Sequence, residues 1–151
     1  MGSPLLSGAL AGAAGTTALN AVTYLDMALR SRPASDTPEE TVRKAEDLTG
    51  QALSSNSRSG LGALLGIASG VGMGTIYGAL RSGIGRSLPL PVAAVVAGVG
   101  AGAATNAPMT ALGVSDPRTW PASSWLADLV PHLAYGVVTA LTYDIMSRRV
   151  G

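Results

Sequence analysis

Charged side chains along this chain are clustered, and long uncharged runs separate the clusters. None occurs within residues 1–25, 59–80 or 87–115, and a shorter clean run covers residues 129–143. A helix needs about 20 mainly apolar residues to cross about 30 Å of hydrocarbon. The pattern therefore predicts four membrane spans, over residues 5–27, 61–80, 92–112 and 124–146. The fourth carries Asp128, Pro131 and His132 in its first half.

The connections differ in kind. In the polar first loop, Thr37-Pro38-Glu39-Glu40 reads as a helix start, with Thr37 as N-cap, Pro38 in the first turn and Glu40 closing a capping box. Val42, Ala45 and Leu48 then form a thin apolar stripe, and Gly50 is a stop. This predicts a short extramembrane helix over residues 38–50, lying on the headgroups or capping the bundle. A solvated connector without a role is the other reading. Residues 81–88 read as a tight turn, and Trp120 and Trp125 suit an interfacial aromatic belt. The first hydrophobic segment lacks the basic flank of a signal peptide and reads as a retained span. Six Lys and Arg fall on the side of the first and third loops and four on the other, a small bias toward both termini outside that also permits dual insertion.

Composition narrows the class. The 151 residues are 47% hydrophobic but only 4% aromatic and 13% charged, about half the charge of a soluble domain. An Ala-rich soluble bundle is the alternative, but three uncharged runs of spanning length favour lipid. The absence of Cys excludes a disulfide scaffold and a Cys-ligated metal. A net charge of +1 speaks against nucleic acid as a partner. One His cannot supply two axial haem ligands. The sole Lys, Lys44, lies outside any Walker loop, and no Gly-x-Ser-x-Gly elbow is present. The expectation is a protein without cofactor, metal site or enzymatic activity.

Glycines carry the next signal. Gly62, Gly66, Gly70, Gly74 and Gly78 recur every fourth residue through the second span, and Gly98 and Gly102 repeat the spacing in the third. In lipid the backbone must satisfy its own hydrogen bonds, so such a helix persists and its glycines let a neighbouring backbone approach. Each four-residue step advances about 400°, so the ridge winds around its helix and favours steep crossings or two partners in turn. Packing within one chain and packing between copies both remain open.

Polar residues inside the spans are the functional candidates. Counted from the predicted span ends, Asn20, Asn106 and His132 each lie roughly 9–12 Å in from the face bearing the first and third loops. Ser69 falls at the matching depth of the second span, with Asp26 and Asp128 nearer the surface. Asp128 and His132 are four residues apart on one helix face. Polar and ionisable groups within a span are expensive unless used, so Asn20, Ser69, Asn106, Asp128 and His132 are candidate binding or permeation residues. The competing view makes His132 interhelical glue to Asn20 or Asn106 and leaves Asp128 facing water. Asp26 and Asp144, beside Arg-bearing ends, read as surface groups. A weak echo aligns residues 11–21 with 97–107, placing Asn20 on Asn106, and Ile76-Tyr77-Gly78 with Ala134-Tyr135-Gly136.

The segment from Gly12 through Asp26-Met27, followed by Arg32-Pro33-Ala34-Ser35 and Thr-Pro-Glu-Glu, resembles small uncharacterised four-span membrane proteins of actinobacteria. Asn106-Ala107-Pro108-Met109 and Ala134-Tyr135-Gly136 are similar to them as well. The resemblance implies a bacterial plasma membrane and carries no activity and no functional residues with it. The expectation is one membrane domain over residues 1–151: an all-α, integral membrane four-helix bundle packed through Gly/Ala ridges, with one short extramembrane helix. Two functions fit it. One is a small oligomeric transporter or channel; the other is a scaffold or accessory subunit docking another membrane protein through its glycines.

Overall fold

The computed structural model describes residues 3–83 and 88–149. Among them are five α-helices and a short 3-10 turn, with no strand. In chain order they are α1 (Pro4–Arg30), α2 (Thr37–Thr49), α3 (Ser55–Ser82), α4 (Leu90–Ala111) and α5 (Ala122–Arg149). The turn expected over residues 81–88 lies partly outside the described residues.

Prolines set most of the helix starts. Pro4, Pro38 and Pro91 occupy the first turns of α1, α2 and α4, where a missing N–H breaks no helical bond. Ser54 caps α3, its hydroxyl accepting from the Ser57 N–H at 3.2 Å. Gly50 ends α2 at φ 69°, donating to the Glu46 carbonyl at 2.8 Å. The expected capping box is replaced by a different arrangement. Thr37 is the first helical residue, Asp36 precedes it without a side-chain cap, and Glu40 pairs with Arg43 along the helix.

Three helices, α1, α3 and α4, are long and apolar enough to cross a membrane. α5 is as long as α3, but Asp128, Pro131, His132 and Asp144 make it more polar. The distribution of side chains is the reverse of a water-soluble bundle. Ala11, Ala93, Ala97, Ala101 and Ala140 are buried, while Leu64, Ile67, Val96 and Leu126 are about half exposed or more. The largest fully buried side chains are Tyr135 and Thr139. A soluble protein hides its bulky apolar groups from water. Here they face outward over an apolar surface that suits lipid, and small residues fill the interior.

α1 packs against α3 on one side and α5 on the other, and α5 packs against α4; α3 and α4 touch only slightly. Tyrosines of α5 reach across to α3: Tyr135 donates to the Gly70 carbonyl at 2.7 Å and Tyr143 to the Gly78 carbonyl at 3.1 Å. The two tyrosines are eight residues apart, as are their acceptors, so α3 and α5 run parallel. α3 is the most exposed helix, with 11% of its most apolar window buried.

α2 leans on the first turns of α3. Its inward face is Pro38, Val42 and Glu46, not the stripe read from Val42, Ala45 and Leu48; Leu48 is 80% exposed. Glu46 sets that rotation. Its carboxylate accepts from the Arg58 guanidinium at 2.5 Å and from the Leu53 N–H, tying α2, the connecting strand of chain and α3 together. The Arg58 bond foremost, assisted by the Leu53 N–H, holds the Glu46 carboxyl below its ordinary range against the opposing effect of burial.

Candidate functional site

The α4·α5 contact is a ladder with a step of four residues. Asn106 faces Asp128, Gly102 faces His132, and Gly98 faces Gly136. At the lowest of these rungs the two backbones touch. A Cβ on Gly136 would stand 2.5 Å from the Gly98 nitrogen, and one on Gly98 would stand 2.5 Å from the His132 carbonyl oxygen. Such approach is open only to glycine. One turn away, Gly102 leaves room for the imidazole; a Cβ there would lie 3.4 Å from its Cγ, ordinary contact.

On this ladder three polar side chains meet. Asn106 Nδ2 donates to Asp128 Oδ2 at 3.1 Å. His132 Nδ1 lies 2.8 Å from the Asp128 carbonyl oxygen and 3.5 Å from its Oδ1. The His132 and Asp128 side chains are 13% and 23% exposed. Buried Pro131 sits between them and has no N–H, so the Ala127 carbonyl loses its helical donor at the same level. The group is thus part-buried, holds one carboxylate, and has neither Arg nor Lys within it.

The other candidates lie elsewhere. Ser69 is exposed on the outer surface of α3, not in this group. Its neighbour Gly70 faces inward against Thr16, about 100° around the helix. Asn20 is half-buried on α1 and makes no side-chain hydrogen bond with a described residue. Asp26 is taken up by Arg32 at 2.5 Å and Arg30 at 3.3 Å. The interhelical glue considered for His132 has other partners: His132 bonds within α5, and it is Asp128 that Asn106 holds.

A second polar group, at the opposite end of α5, was not legible beforehand. Asp144, read from the sequence as a surface residue, is 18% exposed and bridges to Arg81 of α3 at 3.5 Å and to Arg148 at 3.6 Å. Tyr143 beside it packs edge-on against Tyr77, ring centres 5.5 Å apart. The one available signal was Tyr135 and Tyr143 at the same spacing as Gly70 and Gly78. Without the helix register it pointed nowhere.

The glycines of α3 divide by partner. Gly62 meets Pro38 of α2; Gly70, Gly74 and Gly78 meet α1; Gly66 meets nothing within 4 Å. A Cβ on Gly74 would stand 2.5 Å from the Gly8 carbonyl oxygen and 2.6 Å from the Gly12 nitrogen. Among the described residues no group of three or more His, Cys, Asp or Glu side chains is placed to hold a metal ion. Comparison with protein-family models, curated proteins and solved structures gives no match.

Proposed function

We propose that the chain is a four-span protein of a bacterial plasma membrane, α5 being the fourth span, and that it acts as a small transporter or channel. Its permeation route passes Asn106, Asp128 and His132. One observation carries this reading. The long helices α1, α3, α4 and α5 hold three acids, and two of them, Asp26 and Asp144, are each bridged by two arginines. The third, Asp128, has only an amide and an imidazole. A carboxylate removed from water without a resident cation is expensive to keep for structure alone. It is a natural station for a mobile positive charge.

The test is reconstitution in phosphatidylethanolamine/phosphatidylglycerol vesicles, with ion flux measured under an imposed gradient. Asp128→Asn and His132→Asn abolish flux, yet both variants melt within a few degrees of wild type in detergent. A His132→Ala protein as unstable as one altered at Gly74 makes the residue structural and removes this reading.

The second reading is a scaffold that docks a copy of itself or another membrane protein. It rests on Gly66, Gly72 and Gly100, whose Cβ positions meet nothing within 4 Å inside the chain. Flux through vesicles separates the two, since both readings allow a complex but only the transport reading moves an ion.

A further inference from the structure

The hydrogen bonding of His132 assigns its tautomer, and with it the identity of the mobile charge. Both atoms facing Nδ1 are oxygens of Asp128: the main-chain carbonyl at 2.8 Å and Oδ1 at 3.5 Å. A carbonyl and an ionised carboxylate can only accept. Nδ1 therefore carries the proton in the neutral ring, and the lone pair lies on Nε2. No described residue bonds Nε2. A Cβ on Gly102 would come nearest Cγ, Cδ2 and Nδ1 of the ring, and the unbonded Nε2 is not sealed from solvent.

The geometry points to a proton as the transported ion, with His132 Nε2 as its loading atom and Asp128 as the fixed counter-charge. The proposal rests on the transport reading above and names its substrate. In the loading step the Nε2 lone pair takes H⁺ from a hydronium ion and releases water; no other bond changes. The ring goes from neutral to +1, and Asp128 stays a carboxylate, so the group goes from a net −1 to zero. The Nδ1–H already aimed at Asp128 becomes half of a charged pair without a side chain having to turn, and Asn106 keeps the carboxylate in place.

The surroundings hold no competing charge. α4 has no ionisable residue along its length. From α1 the ionisable groups are Tyr24, Asp26 and Arg30, and the acid among them is bridged by Arg30 and Arg32. From α3 they are Arg58, held by Glu46, with Tyr77 and Arg81 grouped with Asp144 at the far end. On α5 the nearest further group is Tyr135, whose hydroxyl is bonded to Gly70.

His132 is the sole histidine, so the wild-type protein reports on it without a variant. Nitrogen NMR of ¹⁵N-histidine-labelled protein in lipid, followed from pH 9 to pH 5, gives one imidazole signal pair. The expected result is an Nδ1–H neutral ring at high pH that gains its second proton at Nε2 as the pH falls. An Nε2–H neutral ring, or one that stays neutral throughout, overturns the proposal whatever the vesicles show. Proton uptake driven by a valinomycin potassium potential, read with an internal pH dye, is the second arm. Wild type at least tenfold above His132→Asn supports the proposal. A ring that loads at Nε2 in vesicles without proton uptake leaves the binding site standing and sinks the transport reading. Uptake of sodium or potassium with no proton uptake overturns the proposal and keeps the transport reading.

Discussion

The α1·α3 and α4·α5 pairs share one plan and differ in two rungs. In both, antiparallel helices meet through small residues every fourth position, and a Cβ at the closest point would run into the opposite backbone: Gly8 and Gly12 against Gly74 and Gly78, Gly98 against Gly136. Further along the ladder they part. Gly102–His132 in one pair corresponds to Thr16–Gly70 in the other, and Asn106–Asp128 corresponds in register to Asn20 and Gly66, where a Cβ on the glycine would meet nothing within 4 Å. The glycines thus bring helices together in both pairs, and the polar chemistry is confined to one. Close packing of small residues makes the frame; the acid and imidazole on a single helix face make the site.

The largest expected effect tests the shared plan. Gly74→Ala and Gly136→Ala each force backbones apart and each destabilise by about 1–3 kcal/mol, read as thermal unfolding in detergent. Equal losses support the parallel between the pairs, and a variant at either position that melts like wild type breaks it.

The next contrast concerns the acids at the two ends of α5. Asp144→Asn removes the part-buried carboxylate that Arg81 and Arg148 share, at a cost of roughly 1–3 kcal/mol. Asp128→Asn takes no carboxylate from an arginine and keeps a polar partner for Asn106, so its stability loss stays below about 1 kcal/mol while flux disappears. Should Asp128→Asn prove the more destabilising of the two, Asp128 is a structural acid.

A finer test lies within one ladder. Gly102→Ala meets the imidazole at van der Waals distance and changes stability by less than about 0.5 kcal/mol. Gly98→Ala, one turn away, meets backbone and falls in the destabilising class above.

The smallest effects belong to the surfaces left outside both pairs. Gly66→Leu adds a side chain into open space, so melting is unchanged if lipid covers that face; a lowered native mass would show another chain there. For α2, the depressed Glu46 value means its contribution is whole above the ordinary glutamate pKa, about 4.3, and is lost as pH falls through the lowered folded value. Trypsin cleavage at Arg43 and Lys44 is therefore expected to be as slow at pH 5 as at pH 7. Faster cleavage at pH 5 in a control-corrected assay would show that Glu46 does not hold α2.

Much of the molecule was visible along the chain. The uncharged runs located α1 and α4 within three residues at each end and α3 within six, because length and apolarity enough to cross hydrocarbon are properties each segment has by its own composition. Asp128 and His132 were legible as a pair for a similar reason: a spacing of four on one helix fixes a shared face before any neighbour is present. The α2 stripe misled because Glu46 is a charged residue at an inward position, and the arginine that justifies it is twelve residues away. Ser69 misled because depth along a helix was judged without rotation about it, and one residue's offset turned the hydroxyl outward.

What the sequence determined alone is therefore local: which segments form long apolar helices, that the bulky apolar surface of those helices suits lipid, and that Pro38 opens α2 and Gly50 ends it. Pairing belonged to the tertiary structure. That Asn106 meets Asp128, that Tyr135 and Tyr143 reach Gly70 and Gly78, and that Asp144 finds Arg81 all depend on rotation and register between helices. Those are set by which backbones can approach at glycine, a choice made jointly by two helices and written in neither one.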